Sequence, residues 1–197
     1  MEARLDLSGT YFFLTTCDSY NPGSQSNRAL LRELAALGFE VGLHFDPTIY
    51  PEADEATLLR HVEAEGQQLA DIIGAPVRSI SLHNPSVHGQ YPIFPGWMNA
   101  YDPAIFNKDC YLSDSRMIFR SPPVEFFKAR TGQISQLLLH PLHYSPDGSV
   151  YPEPMAAFVV RFGNALNEYF KMNSTYREAV GDGDFWTFVD ASCEKRR

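Results

Sequence analysis

Gly38-Phe-Glu-Val-Gly-Leu-His44, running on into Phe45-Asp46-Pro47, is the stretch whose reading decides the fold. Phe39 to His44 is short and rich in strand formers, and Pro47 and Pro51 stop it. Upstream lies a helical pattern, Leu30, Leu31, Leu34 and Leu37, with Ser26 as its expected cap and Gly38 as its stop. Before it, Thr10-Tyr-Phe-Phe-Leu-Thr-Thr16 reads as a buried strand closed by the turn-prone Asp18 to Gly23. Downstream, Asp54 opens a longer helix with Leu58, Val62, Leu69, Ile72 and Ile73 at its apolar positions. Gly74 and Pro76 end it, and Val77 to His83 is a third strand. Strands alternating with helices require parallel βαβ connections, so the class is α/β.

Beyond His83 comes a loop of about 25 residues dense in Pro, Gly, Asn and aromatics, a length uncommon without a function. Strands are expected near Tyr111 to Ser113, Met117 to Phe119 and Ile134 to Leu139, with a short helix after Pro123. The segment from Pro154 to about residue 180 reads as helix, with Phe158, Phe162, Leu166, Tyr169 and Phe170 on one face. Neither a repeat nor a linker interrupts the 197 residues, and one domain over 1–197 is expected.

Sixteen Lys and Arg against 24 Asp and Glu give a net charge of −8, which argues against a general nucleic-acid or anionic-membrane surface. Cys17, Cys110 and Cys193 are odd in number and widely spaced, so a disulfide framework is not expected. No apolar run approaches a membrane span. Leu14 to Cys17 has a faint likeness to a lipoprotein cleavage site, but the apolar stretch before it is too short, and a cytoplasmic location is expected.

What ends each strand carries the chemistry. Leu43-His44-Phe45-Asp46, Leu82-His83-Asn84, Leu112-Ser113-Asp114 and Leu139-His140 each place a polar or ionisable group at a strand terminus. Carboxyl ends of parallel strands share one rim, so His44, His83 and His140 are expected there together with Asp46 and Asp114. Each residue also has a plainer role open to it: Asp46 as an Asx turn before Pro47, Asp114 as a cap of the turn at Ser115. His61 is expected to be solvated, and His88 and His143 to lie just beyond the rim. Imidazole and carboxylate bind Zn²⁺, Fe²⁺, Co²⁺ or Ni²⁺, and an unligated His can protonate a leaving group. Gly-x-Ser-x-Gly, His-Glu-x-x-His, phosphate-loop and dinucleotide motifs are absent from the sequence.

Taken together, Thr10-Tyr-Phe-Phe-Leu, Gly38 to His44, Ser79-Ile-Ser-Leu-His-Asn-Pro85, Tyr111-Leu-Ser-Asp-Ser115 and Leu138-Leu-His140 resemble the polysaccharide deacetylase superfamily, carbohydrate esterases of surface-polysaccharide metabolism. The likeness covers about residues 9 to 145. It implies a distorted or incomplete (β/α) barrel of parallel strands with outer helices. It also implies a metal-dependent hydrolase that removes acetyl groups from N- or O-acetylated sugars.

By that resemblance His44 becomes a metal ligand and His140 the general acid. The second metal His of the family falls on Thr48, which leaves His83 or Asp46 to complete a divalent site, Zn before Fe, Co or Ni. Asn84, Tyr91, Trp97 and Tyr101 are the sugar-contacting candidates, although the aromatics, with Phe94, serve equally well to pack the loop shut. The family's Asp-rich strand normally precedes the Thr-Phe-Phe strand by tens of residues, and nine residues precede Thr10 here. Asp114 is then the substitute base. Two readings stand open: a start inside a longer gene, or a catalytically impaired carbohydrate-binding or assembly module. Either leaves a strand edge uncovered, so self-association is expected.

Overall fold

A computed structural model describes residues 2–144, 151–181 and 183–194, the side chains of residues 2, 3 and 191–194 excepted. Two compact units emerge: residues 1–112 with 124–136, and residues 113–123 with 137–197.

The first unit is built on β1 (Thr10–Leu14), α1 (Gln25–Ala36), β2 (Glu40–Phe45), α2 (Glu55–Ile73) and β3 (Ser79–Leu82). These follow the sequence pattern closely, because each boundary has a chemical cause. Ser24, not Ser26, caps α1 through Asn27 N–H, and Gly38, at φ +86°, releases the chain from the helix. Asp54 caps α2 through Thr57 N–H, and Gly74 closes it in the left-handed conformation. The long loop adds a one-turn helix, α3 (Pro85–His88), and a two-residue strand, β4 (Met98–Asn99), that the composition hides.

The sheet runs β1-β2-β3-β4 with every pairing parallel. Glu40 bridges its N-terminal side, accepting hydrogen bonds from Thr10 Oγ1 at 2.6 Å and Ser79 Oγ at 2.5 Å. Leu31, Val41, Leu43, Phe45, Val62, Leu69, Ile72, Ile80, Leu82 and Phe94 form the core beneath. Burying each side chain of that size is worth about 1.5–3 kcal/mol. Among the described residues β1 pairs only with β2 and is the sheet's edge.

Gly66 on α2 meets the Trp97 indole so closely that an added Cβ would lie 2.3 Å from the ring. Gly66→Ala is therefore expected to destabilise the protein by about 1–3 kcal/mol through overpacking, despite a gain of about 1 kcal/mol in helix propensity. A shift of the urea midpoint checks this; a variant as stable as the parent contradicts it.

Glu65, one residue earlier, is buried and accepts hydrogen bonds from Thr15 Oγ1 and from Tyr50 Oη, the latter at 2.8 Å. Burial, together with the bond to Glu65 and its charge, pushes the Tyr50 phenol up to about 12. A raised phenol stabilises the fold fully below its ordinary value and loses that contribution as pH rises through the folded one. The stability gap between the parent and Tyr50→Phe should hence narrow between pH 10.0 and about 12. Urea titrations across that window measure it, and a constant gap would count against the linkage.

β5 (Tyr111–Ser113) and β6 (Gln136–Leu138) pair as a two-stranded sheet, and α4 (Pro123–Lys128) is the short helix expected after Pro123. The strand expected over Met117 to Phe119 is not formed. A 3-10 turn occupies Ser115–Met117, because Arg116 and Met117 take positive φ of 59° and 62° and bend the chain away from extension. The described strands make these two sheets rather than a closed barrel.

The C-terminal segment is not one helix but three: α5 (Pro152–Phe170), α6 (Ser174–Val180) and α7 (Phe185–Glu194). The first ends at Phe170 with Lys171 as its cap, and Asn173 caps the second, accepting from the N–H groups of Thr175 and Tyr176. The apolar face expected of α5 is largely exposed, Phe162 at 41% and Tyr169 at 63%. Its buried positions are Gly163, pressed by Trp186, and Asn167, whose Oδ1 accepts from Tyr176 Oη at 2.5 Å. Local geometry wins over hydrophobicity here, because glycine admits the indole and the amide ties α5 to α6. Among the described residues no helix is long and apolar enough to cross a membrane.

Candidate functional site

In the first unit, β2 delivers His44 and the residue after β3 delivers His83. The His83 N–H donates to the Phe45 carbonyl at 2.8 Å, which extends the ladder one step and sets the two rings side by side. The rings meet edge to face with centroids 5.2 Å apart, and His83 Nδ1 lies 3.3 Å from His44 Nε2. Asn84, held at φ 46°, brings its amide nitrogen to 3.0 Å from His83 Nε2. With that amide donating, His83 carries its proton on Nδ1 and gives it to His44 Nε2. His88 Nε2–H donates to the His83 carbonyl at 2.9 Å and fastens α3 beneath the pair.

The 3.3 Å gap bears on the metal implied by the family resemblance. Two nitrogens bound to one tetrahedral Zn²⁺ at about 2.0–2.1 Å lie about 3.3–3.4 Å apart. The two nitrogens thus have the spacing of two ligands of a divalent ion, which requires the His83 proton to move from Nδ1 to Nε2 and the Asn84 amide to turn its oxygen towards it. Asp46 does not join them: its Oδ1 accepts from Thr48 N at 2.9 Å and Thr48 Oγ1 at 2.6 Å, the Asx-turn role.

The aromatic candidates take different positions. Trp97 lies against Gly66 and the core, which is the packing role open to it. Tyr101, Tyr91, Phe106 and Tyr111 form a ring cluster with neighbouring centroids 4.7 to 5.9 Å apart, and Tyr91 keeps 42% of its surface exposed. Burial, and after it the neighbouring Tyr111, pushes the Tyr101 phenol up to about 12. His61, expected in solvent, is stacked on Tyr50 at 3.7 Å. Tyr50, at the end of the turn that follows Asp46, offers the α2 residue His61 a flat aromatic face, and His61 is partly buried.

In the second unit Asp114 is 1% exposed and stands immediately beyond β5, its N–H donating to the Leu138 carbonyl at 3.3 Å. His140 Nδ1 is 2.5 Å from Asp114 Oδ1, and the His140 backbone N–H donates to Oδ2 at 2.8 Å. Burial alone would push the Asp114 carboxyl up. The His140 N–H and imidazole, with a further bond from the Tyr144 hydroxyl, outweigh it and hold the carboxyl below its ordinary value. The carboxylate therefore fixes the His140 ring by Nδ1–H, while 46% of that side chain stays exposed. A buried carboxylate orienting an exposed imidazole is an acid–base pair.

His143 joins this pair. A 3-10 turn over Pro141–His143 brings the ring centroids of His140 and His143 to 4.8 Å, and His143 Nδ1 lies 3.2 Å from Asp114 Oδ2. One donor atom from each of Asp114, His140 and His143 falls within 4.8 Å of the others, the one such trio of possible metal ligands among the described residues. The signal for His143 was present as His140-Pro-Leu-His143, since proline at the first position of a 3-10 turn sets residues three apart on one side.

No family profile matches this sequence, and no curated protein does. Similar solved structures include two mutants and the wild type of BA3943, described as a CE4 family pseudoenzyme and, for the wild type, as coming from Bacillus anthracis. One mutant, described as having restored enzymatic activity, is 12% identical with a TM-score of 0.41. The other mutant is 12% identical at 0.39, and the wild type 11% identical at 0.36. Each match covers 82% of this chain, which spans about half the length of those structures, 53–54%.

Each group has a chemistry of its own. His44 with His83 is a pair of imidazoles whose facing nitrogens are spaced for a cation once the proton between them is displaced. Asp114 with His140 is suited to moving a proton, because the charge that forms on the imidazole is met by the carboxylate.

Proposed function

We propose that this protein is a deacetylase-type hydrolase acting on N- or O-acetylated sugars, slowed by an incomplete metal shell. The observation that carries it is the Asp114–His140 pair, a buried carboxylate 2.5 Å from a half-exposed imidazole. His140, protonated at Nε2, gives that proton to the departing amine or alcohol, and Asp114 steadies the imidazolium before transfer. His44 and His83 would hold the divalent ion, with Asn84 keeping the His83 ring in place. When bound, the ion polarises the acyl oxygen and lowers the pKa of water towards 7. The reading includes the incomplete (β/α) barrel of the superfamily, a sugar contact at Tyr91, and self-association through the β1 edge.

A second reading, a catalytically impaired carbohydrate-binding or assembly module, is favoured by one feature. Among the described residues no carboxylate completes a ligand trio with His44 and His83. Acetate release from acetylated chito-oligosaccharides and acetylated xylan, with and without added Zn²⁺ or Co²⁺, separates the two. Slow, metal-dependent release that His44→Ala and His83→Ala abolish supports the hydrolase. Saccharide binding without release supports the module, and neither binding nor release overturns both.

A further inference from the structure

His143 has no task in the hydrolase reading, yet its position is costly. Its side chain is 13% exposed, and Nδ1 is buried without a hydrogen bond. The nearby Asp114 Oδ2, at 3.2 Å, is close enough for an ion pair but not aligned with an N–H. A buried polar atom left in that state has lost its water without gaining a hydrogen bond in return. It faces a carboxylate oxygen whose neighbour holds a second imidazole nitrogen, and the three donors lie within 4.8 Å of one another. Two ligands of one Zn²⁺ are separated by about 3.3–3.4 Å, so His140 Nδ1 and Asp114 Oδ1, now 2.5 Å apart, have to separate to admit an ion, and the exposed side of the His140 ring leaves room for that.

We propose that Asp114, His140 and His143 form a second divalent transition-metal site, distinct from His44 and His83, whose occupancy switches off proton transfer by His140. The ion takes the lone pair of His140 Nδ1 and a carboxylate oxygen of Asp114. The neutral imidazole keeps one proton, which moves from Nδ1 to Nε2, so no proton is released from that ring. Bound in this way, it has no lone pair for a second proton and cannot become the imidazolium that serves the leaving group. His143 supplies the third ligand, and a carboxylate with two imidazoles suits Zn²⁺ or Co²⁺. The site stands on its own geometry; its inhibitory effect rests on the hydrolase reading above.

The test titrates Zn²⁺ against a chromogenic chelator and follows the visible absorption of Co²⁺, using the whole chain. His44→Ala/His83→Ala is expected to retain one bound ion per chain with a Co²⁺ spectrum. His143→Ala in that background is expected to lose it, and His143→Gln, which keeps the volume, covers the case in which the alanine variant fails to fold. In acetate release, excess Zn²⁺ is expected to inhibit the parent by about 10²-fold or more, the scale of a lost general acid. His143→Gln, compared with its own low-zinc rate, should escape that inhibition. No bound ion in folded His44→Ala/His83→Ala, or one that His143→Gln leaves intact, overturns the site. Binding at the site with no acetate release in any form would instead overturn the hydrolase reading and leave the metal site standing.

Discussion

Asp114→Asn is expected to lower acetate release by about 10²–10⁴-fold, and His140→Ala by at least as much, with the fold retained. The asparagine keeps the volume, and its carbonyl still accepts the His140 N–H now 2.8 Å from Oδ2. What it loses is the charge facing the ring and the acceptor 2.5 Å from Nδ1. An amide nitrogen in that place donates to Nδ1, imposes the opposite tautomer and leaves the imidazolium unsupported. Because the two residues act as one device, the double variant should be no slower than His140→Ala alone. Circular dichroism establishes that the variants fold, and kcat/KM measures the loss. An Asp114→Asn protein of undiminished activity would remove the carboxylate from the mechanism.

Phe45→Ala is expected to cost about 3–5 kcal/mol of stability, the largest single loss in the first unit. Phe45 is fully buried at the end of β2, stacked on Tyr50 at 5.8 Å and edge-on to Phe94 at 5.5 Å. The ring thereby joins three segments: the strand, the turn after Asp46 and the long loop. Truncation opens a cavity that none of them can fill alone, and the neighbouring His44 loses the strand end that aims it. Urea unfolding followed by circular dichroism reads the loss. A cost below about 1 kcal/mol would mean the loop collapses into the space and that the packing is looser than the distances imply.

The pair His44 and His83 was legible because parallel strands end at the same side, so residues two positions apart in register, His83 lying two beyond the Ser81 partner of His44, come together. The link of Asp114 to His140 was legible as residue types at strand ends, but not as a bond. Its partners are 26 positions apart and meet through the β5–β6 pairing. Asp46 illustrates the converse. Asp-Pro-Thr offers a local Asx turn that needs no partner from afar, and the local bond engages the carboxylate. Trp97 and the aromatic face of α5 could not be placed from the sequence for a shared reason. Hydrophobicity shows that a side chain benefits from burial, but which neighbour makes room depends on where a glycine falls, Gly66 in one case and Gly163 in the other.

By itself the sequence determined the α/β class, the helices and strands up to Leu82, and the residue types available for chemistry. Those follow from short-range causes: backbone hydrogen bonding, caps, and the two periods of apolar residues. The tertiary structure alone decided which groups share a carboxylate, that His143 belongs with Asp114, and that Tyr50 stacks on His61. These are choices among donors and acceptors distant along the chain. Their outcome depends on distances of a few tenths of an ångström and on burial, which no spacing in the sequence encodes.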